Sequence, residues 1–213
     1  MAYSTHMAAA LSGATIAQLR HWRRDVRDGP VLIPELAVRP RALYSFRDVL
    51  ALRTCVRLRQ DASLQKIRRA IGNLRRLGEI EHLSSYSLVA DGDSIALVGN
   101  DSEHSTDLVK RPGQQVVATL AEILEPFSVR PGVVVPHLLR PTAHITLDPE
   151  TQGGSPVITG TRVPYDAVVE LLEDGVRAEK IADYYPAVTP EAARDAQTFA
   201  LYVNSYQPEP RAS

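Results

Sequence analysis

Apolar positions recur at helical spacing in three segments of the first third of the chain. MAAAL precedes Gly13, and Thr15-Ile16-Ala17-Gln18 then matches the S/T-x-x-E/Q pattern of a helix start, with Ile16, Leu19 and Trp22 able to face inward. Helix, glycine turn, helix is the arrangement of a helix-turn-helix whose second member enters the DNA major groove. The prolines of DGPVLIPELAVRPRALYS forbid one continuous helix, so a turn with short extended pieces, a wing, is predicted there. Ser45-Phe46-Arg47-Asp48 is a second cap, followed by Phe46, Val49, Leu52 and Val56 at three- and four-residue spacing. Ser63 opens a third helix with the stripe Leu64, Ile67, Ile71 and Leu74, which leaves Lys66, Arg68, Arg69, Arg75 and Arg76 off it and stops at Gly78.

Past residue 80 the period changes. Tyr86, Leu88 and Ile95 to Val98 flank Asp91-Gly92, a hairpin signal, whereas NDSEHSTD reads as a loop and RPGQQVVATLAEIL as a strand leading into a short helix. Pro126, Pro131, Pro136 and Pro141 mark a rigid linker and a domain boundary. Ile145, Leu147, Val157 and Ile158, around Asp148-Pro149 and Gly153-Gly154, predict paired strands or an extended arm. Three helices follow: Pro164 to Gly175 with Val168, Leu171 and Leu172 inside, about 178–184, and one from Thr189-Pro190-Glu191 to about Ser205. The predicted fold class is mainly α with small β elements, an α+β chain. Its divisions are 1–78, a hairpin-containing connector and proline-rich linker over 79–141, and 142–213.

Composition narrows the setting. The 213 residues are 44% hydrophobic and 23% charged, the profile of a folded chain long enough for two small cores. One cysteine, Cys55, excludes an intrachain disulfide framework and a Cys-rich zinc site. No apolar run approaches the roughly 20 residues that span a bilayer, so no membrane partner is expected. MAYSTHMAAALSG lacks the basic and long apolar regions of a secretory signal, which points to the cytoplasm.

The formal net charge of -1 conceals a division of the chain. Residues 20–76 hold 15 Lys/Arg against 5 Asp/Glu, whereas residues 77–213 hold 9 against 20. A concentrated positive field is the footprint of phosphate-backbone binding, although arginine-rich helices also have faces that merely solvate. Arg20, His21, Arg23 and Arg24, clustered on one capped helix, are therefore candidate DNA contacts together with Thr15 and Gln18 at its start. Lys66, Arg68 and Arg69 stand evenly between contact and solvated face.

Catalytic chemistry finds no centre. GGSPVITGTR lacks the lysine of a phosphate-binding loop, and no helix follows it directly. None of His6, His21, His82, His104, His137 and His144 has metal-site spacing with a nearby acid, and no Ser/His/Asp or Cys/His motif is present. No catalytic residue, metal or cofactor is called for, and a non-enzyme is expected. Arg162, beside two turn residues, suits bidentate contact with a carboxylate or phosphate, or else a salt bridge within its own domain.

ALSGATIAQLRHWRR, ALYSFRDVLALRTCVRLR and SLQKIRRAIGNLRRLG together resemble the DNA-binding module of MerR-type regulators over about residues 7–78. The resemblance implies a winged helix-turn-helix that binds operator DNA as a dimer. It adds Tyr44, before Ser45 and Asp48, as a DNA-binding residue at the end of the wing. The family's wing arginine stands two residues before that tyrosine, where this chain has Ala42, so Arg41 is the substitute.

ITLDPETQGGSPVITGTRVPYDAVVELLEDG and KIADYYPAVTPEAARDAQTFA resemble, over about residues 144–203, a short family known as a domain of unknown function. Members occur as antitoxins of type II toxin–antitoxin modules beside PIN-like ribonuclease toxins. Gly154, Pro156, Gly160, Thr161 and Arg162 carry its G-x-P-x-x-x-G-T-R pattern and are the implied toxin- or dimer-binding residues, while Arg177 stands where a Ser or Thr cap is usual. The chain as a whole resembles a long VapB-type antitoxin, with a three-helix, helix-turn-helix-like C-terminal domain. That implies a cytoplasmic homodimer that represses its own operator and neutralises a PIN-like toxin. The competing reading is a stand-alone MerR-like transcription regulator whose C-terminal domain senses a ligand or pairs subunits.

Overall fold

The first helices begin and end where their local chemistry dictates. In the computed structural model, which describes residues 2–26, 29–76, 87–91, 94–98, 105–107 and 123–206, Ser4 caps α1 (Thr5–Ser12) by accepting the Met7 N–H. Gly13 ends α1 at φ 84°, a left-handed conformation that a Cβ would oppose, so the turn of the helix-turn-helix depends on glycine. α2 (Ile16–Trp22) opens on the predicted capping box: Thr15 Oγ1 accepts the Gln18 N–H and Gln18 Oε1 accepts the Thr15 N–H, both at 2.8 Å. Ser45 and Asp48 form the same reciprocal box for α3 (Phe46–Asp61). Ser63 Oγ accepts the Lys66 N–H at 3.2 Å to begin α4 (Leu64–Arg76).

α3 is the axis of this unit. Its periodicity predicts one apolar face, yet Asp48, Val49, every residue from Ala51 to Val56, and Leu58 are buried, because α1, α4 and a β-sheet all pack against it. The small side chains of Ala8, Ala9 and Ala10, all within 1% of full burial, fit α1 into this crowded setting. The segment read as a wing is a loop pinned at its base. Ala37 bridges Leu43, and Tyr44 exchanges backbone hydrogen bonds with Tyr3 at 2.7 and 3.0 Å.

Two strands, β1 (Ser87–Asp91) and β2 (Ser94–Val98), form the predicted antiparallel hairpin. A third, β3 (Ser105–Asp107), pairs with β2, although the polar stretch that contains it predicts a loop. The free edge of β2 offers backbone partners whatever the side chains of the added strand, which hydropathy cannot reveal. The stop at Gly78, the turn at Gly92 and the pieces predicted over 111–122 lie outside the described residues.

The chain divides into two units between Leu124 and Glu125, ahead of the proline-rich stretch that reads as a linker. In the second unit β4 (Phe127–Arg130) and β5 (Val133–Val135) pair antiparallel. Pro126, Pro131 and Pro136 fall just outside these strands, where no ladder N–H is required, so they punctuate a hairpin and do not stiffen a linker. Val135 and Leu138 are fully buried, and Leu139 C=O accepts the Leu147 N–H at 2.9 Å. β6 (Ile145–Leu147) and β7 (Pro156–Ile158) are the predicted paired strands, with Ile145, Leu147, Val157 and Ile158 all buried.

α5 (Tyr165–Glu173) starts after Pro164, which is its N-cap residue and not its first helical one. The middle predicted helix is a 3-10 helix, Ala178–Asp183. It has only six residues, and Arg177 supplies no side-chain cap bond, so an α-helical nucleus has little to sustain it. Thr189 Oγ1 accepts the Ala192 N–H at 3.2 Å to open α6 (Pro190–Ser205), which packs on α5, the 3-10 helix and β6. Among the described residues, no helix is long and apolar enough to cross a membrane.

Candidate nucleic-acid interface and the Arg162 turn

α2 is divided along its length. Leu19 and Trp22 are 2% exposed and fix one face in the core, while Arg20, His21 and Arg24 stand exposed and Arg23 is half-buried. Trp22 C=O accepts the N–H groups of Val31 and Leu32 at 2.8 and 3.4 Å, which ties the end of the helix to the chain that follows. Thr15 and Gln18, expected among the DNA contacts, use their oxygens in the capping box, and Thr15 is buried.

The loop between Ala37 and Leu43 presents Arg39 and Arg41 to solvent and buries Ala42. Asp48 holds its base, for its fully buried carboxylate accepts the N–H groups of Glu35 at 2.9 Å and Ser45 at 2.8 Å. Ser45 Oγ donates to Glu35 at 2.7 Å, and Arg47 pairs with Glu35 at 3.6 Å. Tyr44 is 1% exposed, and its buried hydroxyl has no hydrogen-bond partner among the described residues. Burial raises that hydroxyl above the usual phenol range, with neighbouring Arg23 opposing the shift and Asp48 adding to it.

Not every basic residue faces outward. Arg53 is completely buried on α3: Nε donates to Ile123 C=O at 2.7 Å, Nη1 to Leu11 C=O at 2.6 Å and Nη2 to Leu124 C=O at 3.3 Å. Arg68, which the apolar stripe of α4 leaves on the solvated side, is 5% exposed and also turned inward. Charge patterning missed both, and no local signal marks them, because their acceptors are carbonyls distant in sequence.

In the second unit, Gly160, Thr161 and Arg162 form a tight turn after β7. Gly160 has φ 75°, Thr161 Oγ1 donates to Ile158 C=O at 2.8 Å, and Thr161 Oγ1 accepts the Val163 N–H at 3.0 Å. Arg162 is exposed at the tip and forms no ion pair with any described residue, so the expected alternative of an internal salt bridge is not seen. These three residues line an open cleft of about 520 Å³ with Thr146, Asp148, Thr151 and Val157. Gly154 and Pro156 are buried behind it and do not line it. Thr146 and Thr151 had no sequence signal. Asp148 was legible only as a turn residue, and its carboxylate accepts the Glu150 N–H at 3.0 Å and the Thr151 hydroxyl at 2.8 Å.

Burial pushes the Cys55 thiol up to about 12, which keeps it from acting as a thiolate nucleophile. No group of three metal-ligating side chains occurs among the described residues.

Two family models match the two units separately. Residues 3–74 match the model of the MerR HTH family of regulatory proteins, and residues 145–200 match that of a protein family of unknown function, DUF433. The chain is 32% identical over 94 residues, 44% of its length, to an uncharacterized HTH-type transcriptional regulator of Mycobacterium tuberculosis, Rv1830. It matches one of Mycobacterium bovis, Mb1861, to the same extent. The matched part covers 41% of the length of these relatives. The fold is similar to the crystal structure of Rv2018 from Mycobacterium tuberculosis, with a TM-score of 0.53 and 20% identity, covering 92% of this chain and 96% of that one. The chain thus carries a MerR-like helix-turn-helix domain at its N-terminus and a DUF433 domain at its C-terminus.

Proposed function

We propose that the protein binds its own operator DNA as a homodimeric autorepressor and is also the antitoxin of a type II module, neutralising a PIN-like ribonuclease through its C-terminal unit. The observation that carries the DNA half is the division of α2, whose buried Leu19 and Trp22 leave Arg20 and His21 exposed, with Arg24 exposed just past its end. Cations on a capped, anchored helix meet a phosphate backbone with little ordering cost and release its condensed counterions. Arg23, half-buried at the end of α2, and Arg41 at the exposed loop tip suit the flanking phosphate backbone, whereas the Tyr44 hydroxyl, expected among the DNA contacts, is buried and does not reach a phosphate. The names of the curated relatives support a regulatory role.

The antitoxin half rests on the C-terminal family resemblance and on Arg162, an exposed guanidinium on a rigid turn that suits the acidic metal site of a nuclease. No catalytic step is assigned to the chain itself. The cleft beside Arg162 favours the second reading, a stand-alone regulator that senses a ligand there. Co-purification with a PIN-like protein encoded beside the gene supports the antitoxin. Promoter binding that responds to a small molecule, with no such protein bound, supports the second reading.

Arg20→Ala and Arg23→Ala are each expected to weaken binding to the promoter of the protein's own gene. Each should also lower the slope of log affinity against log salt by about 0.9, one phosphate contact. Fluorescence anisotropy across a salt series reads both effects, and a wild-type affinity independent of salt would remove the DNA-binding function.

A further inference from the structure

We propose that Arg68 is a positioning residue for DNA recognition, holding the end of α2 at the angle from which its exposed cations act. The inference rests on the DNA-binding reading above. Arg68 lies on α4, and its guanidinium forks across two carbonyls: Nη2 donates to His21 C=O at 3.2 Å and Nη1 to Gly29 C=O at 2.8 Å. The first belongs to the last turn of α2 and the second to the chain beyond it.

The tether answers a specific weakness. α2 has seven residues, too few to be stable alone, and its last carbonyls lack intrahelical partners. Val31 and Leu32 serve Trp22 C=O, while Arg24 N–H and Arg68 serve His21 C=O. The cation also stands at the negative end of the helix dipole. Because α4 packs on α3, the bond references the recognition helix to the α3–α4 pair as well as to α1. At 5% exposure, Arg68 is turned away from any backbone phosphate although it belongs to the most basic tract of the chain. A lysine ammonium lacks the planar fork that spans both oxygens.

The test uses the full chain, its Arg68→Lys and Arg68→Met variants, and a labelled duplex of its own promoter. Arg68→Lys should bind about tenfold more weakly, with the slope of log affinity against log salt unchanged because no phosphate contact is lost. The emission of Trp22, the single tryptophan, should shift while thermal unfolding stays cooperative. Arg20→Ala should do the reverse, lowering the slope and leaving the Trp22 spectrum alone. A folded Arg68→Lys protein with wild-type affinity overturns the proposal, as does one whose slope falls like that of Arg20→Ala. Loss of the folded N-terminal unit in both Arg68 variants would assign the residue to stability alone and also overturn it. If the wild type shows no salt-dependent binding, the DNA-binding reading fails first, in the wild-type arm, and this role falls with it.

Discussion

Replacing Arg53 by methionine is expected to destabilise the N-terminal unit by about 3–5 kcal/mol, because several buried carbonyls lose a charged donor at once. Methionine fills much of the same space and avoids the desolvation cost of a buried cation, so the change is not a simple cavity. It donates nothing, however, so the buried Leu11 and Ile123 carbonyls and the half-buried Leu124 carbonyl lose their donor. Arg53→Lys keeps the charge but reaches fewer of the three oxygens, and should fall between the two. Because Arg53 joins the end of α1 to the last residues of its own unit, thermal unfolding should separate into two transitions. The lower belongs to residues 2–124 and the upper to the C-terminal unit. A single unshifted transition would contradict this role.

The second large effect concerns the C-terminal unit. A fragment that begins at Glu125 should fold and bind a PIN-like toxin without binding DNA, whereas one that begins at Thr142 should be weakened. The shorter fragment loses Val135 and Leu138, both fully buried, and the Leu139 carbonyl that receives Leu147. Burial of two such side chains contributes about 3–6 kcal/mol. Within the longer fragment, Arg162→Ala should cost about 2–5 kcal/mol of toxin affinity if its guanidinium meets a buried carboxylate. Operator binding by the full chain should stay nearly unchanged. Calorimetric titration against the toxin measures the first and anisotropy the second. Equal losses in both would mean that Arg162 supports the fold or the dimer, and an unaltered toxin affinity would remove it from the interface.

What the sequence made legible was chemistry that acts within a few residues. Thr15 with Gln18, Ser45 with Asp48, and Thr189 before Pro190 announce their helices because cap and recipient lie within one turn. Gly13 announces its turn because a left-handed residue is needed there. Partners distant in sequence escaped the same reading. Strand β3 exists because β2 has an edge to fill, and nothing in Ser105–Asp107 states that. Prolines 126, 131 and 136 interrupt structure in a linker and in a hairpin alike, and only the burial of Val135 and Leu138 decides for the hairpin.

The candidate sites follow the same division. Arg20 and His21 were readable from helical periodicity, since Leu19 and Trp22 fix which face is buried, whereas Arg24 is exposed in the chain just past the helix. Thr146 and Thr151 join the Arg162 turn only through the pairing of β6 and β7 and the turn at Asp148. Arg53 and Arg68 look like two more solvated cations until the carbonyls that receive them are in place.

Operator binding by a two-fold pair of α2 helices is tested most directly by a hydroxyl-radical footprint of the full chain on the promoter of its own gene. Two protected patches are predicted on one face of the duplex, related by a dyad and centred about 34 Å apart or a multiple of that spacing. Both should fade together in the Arg20→Ala protein at a salt concentration where the wild type remains bound. No protection at any salt concentration, or one patch made by a protein that light scattering finds monomeric, would contradict it.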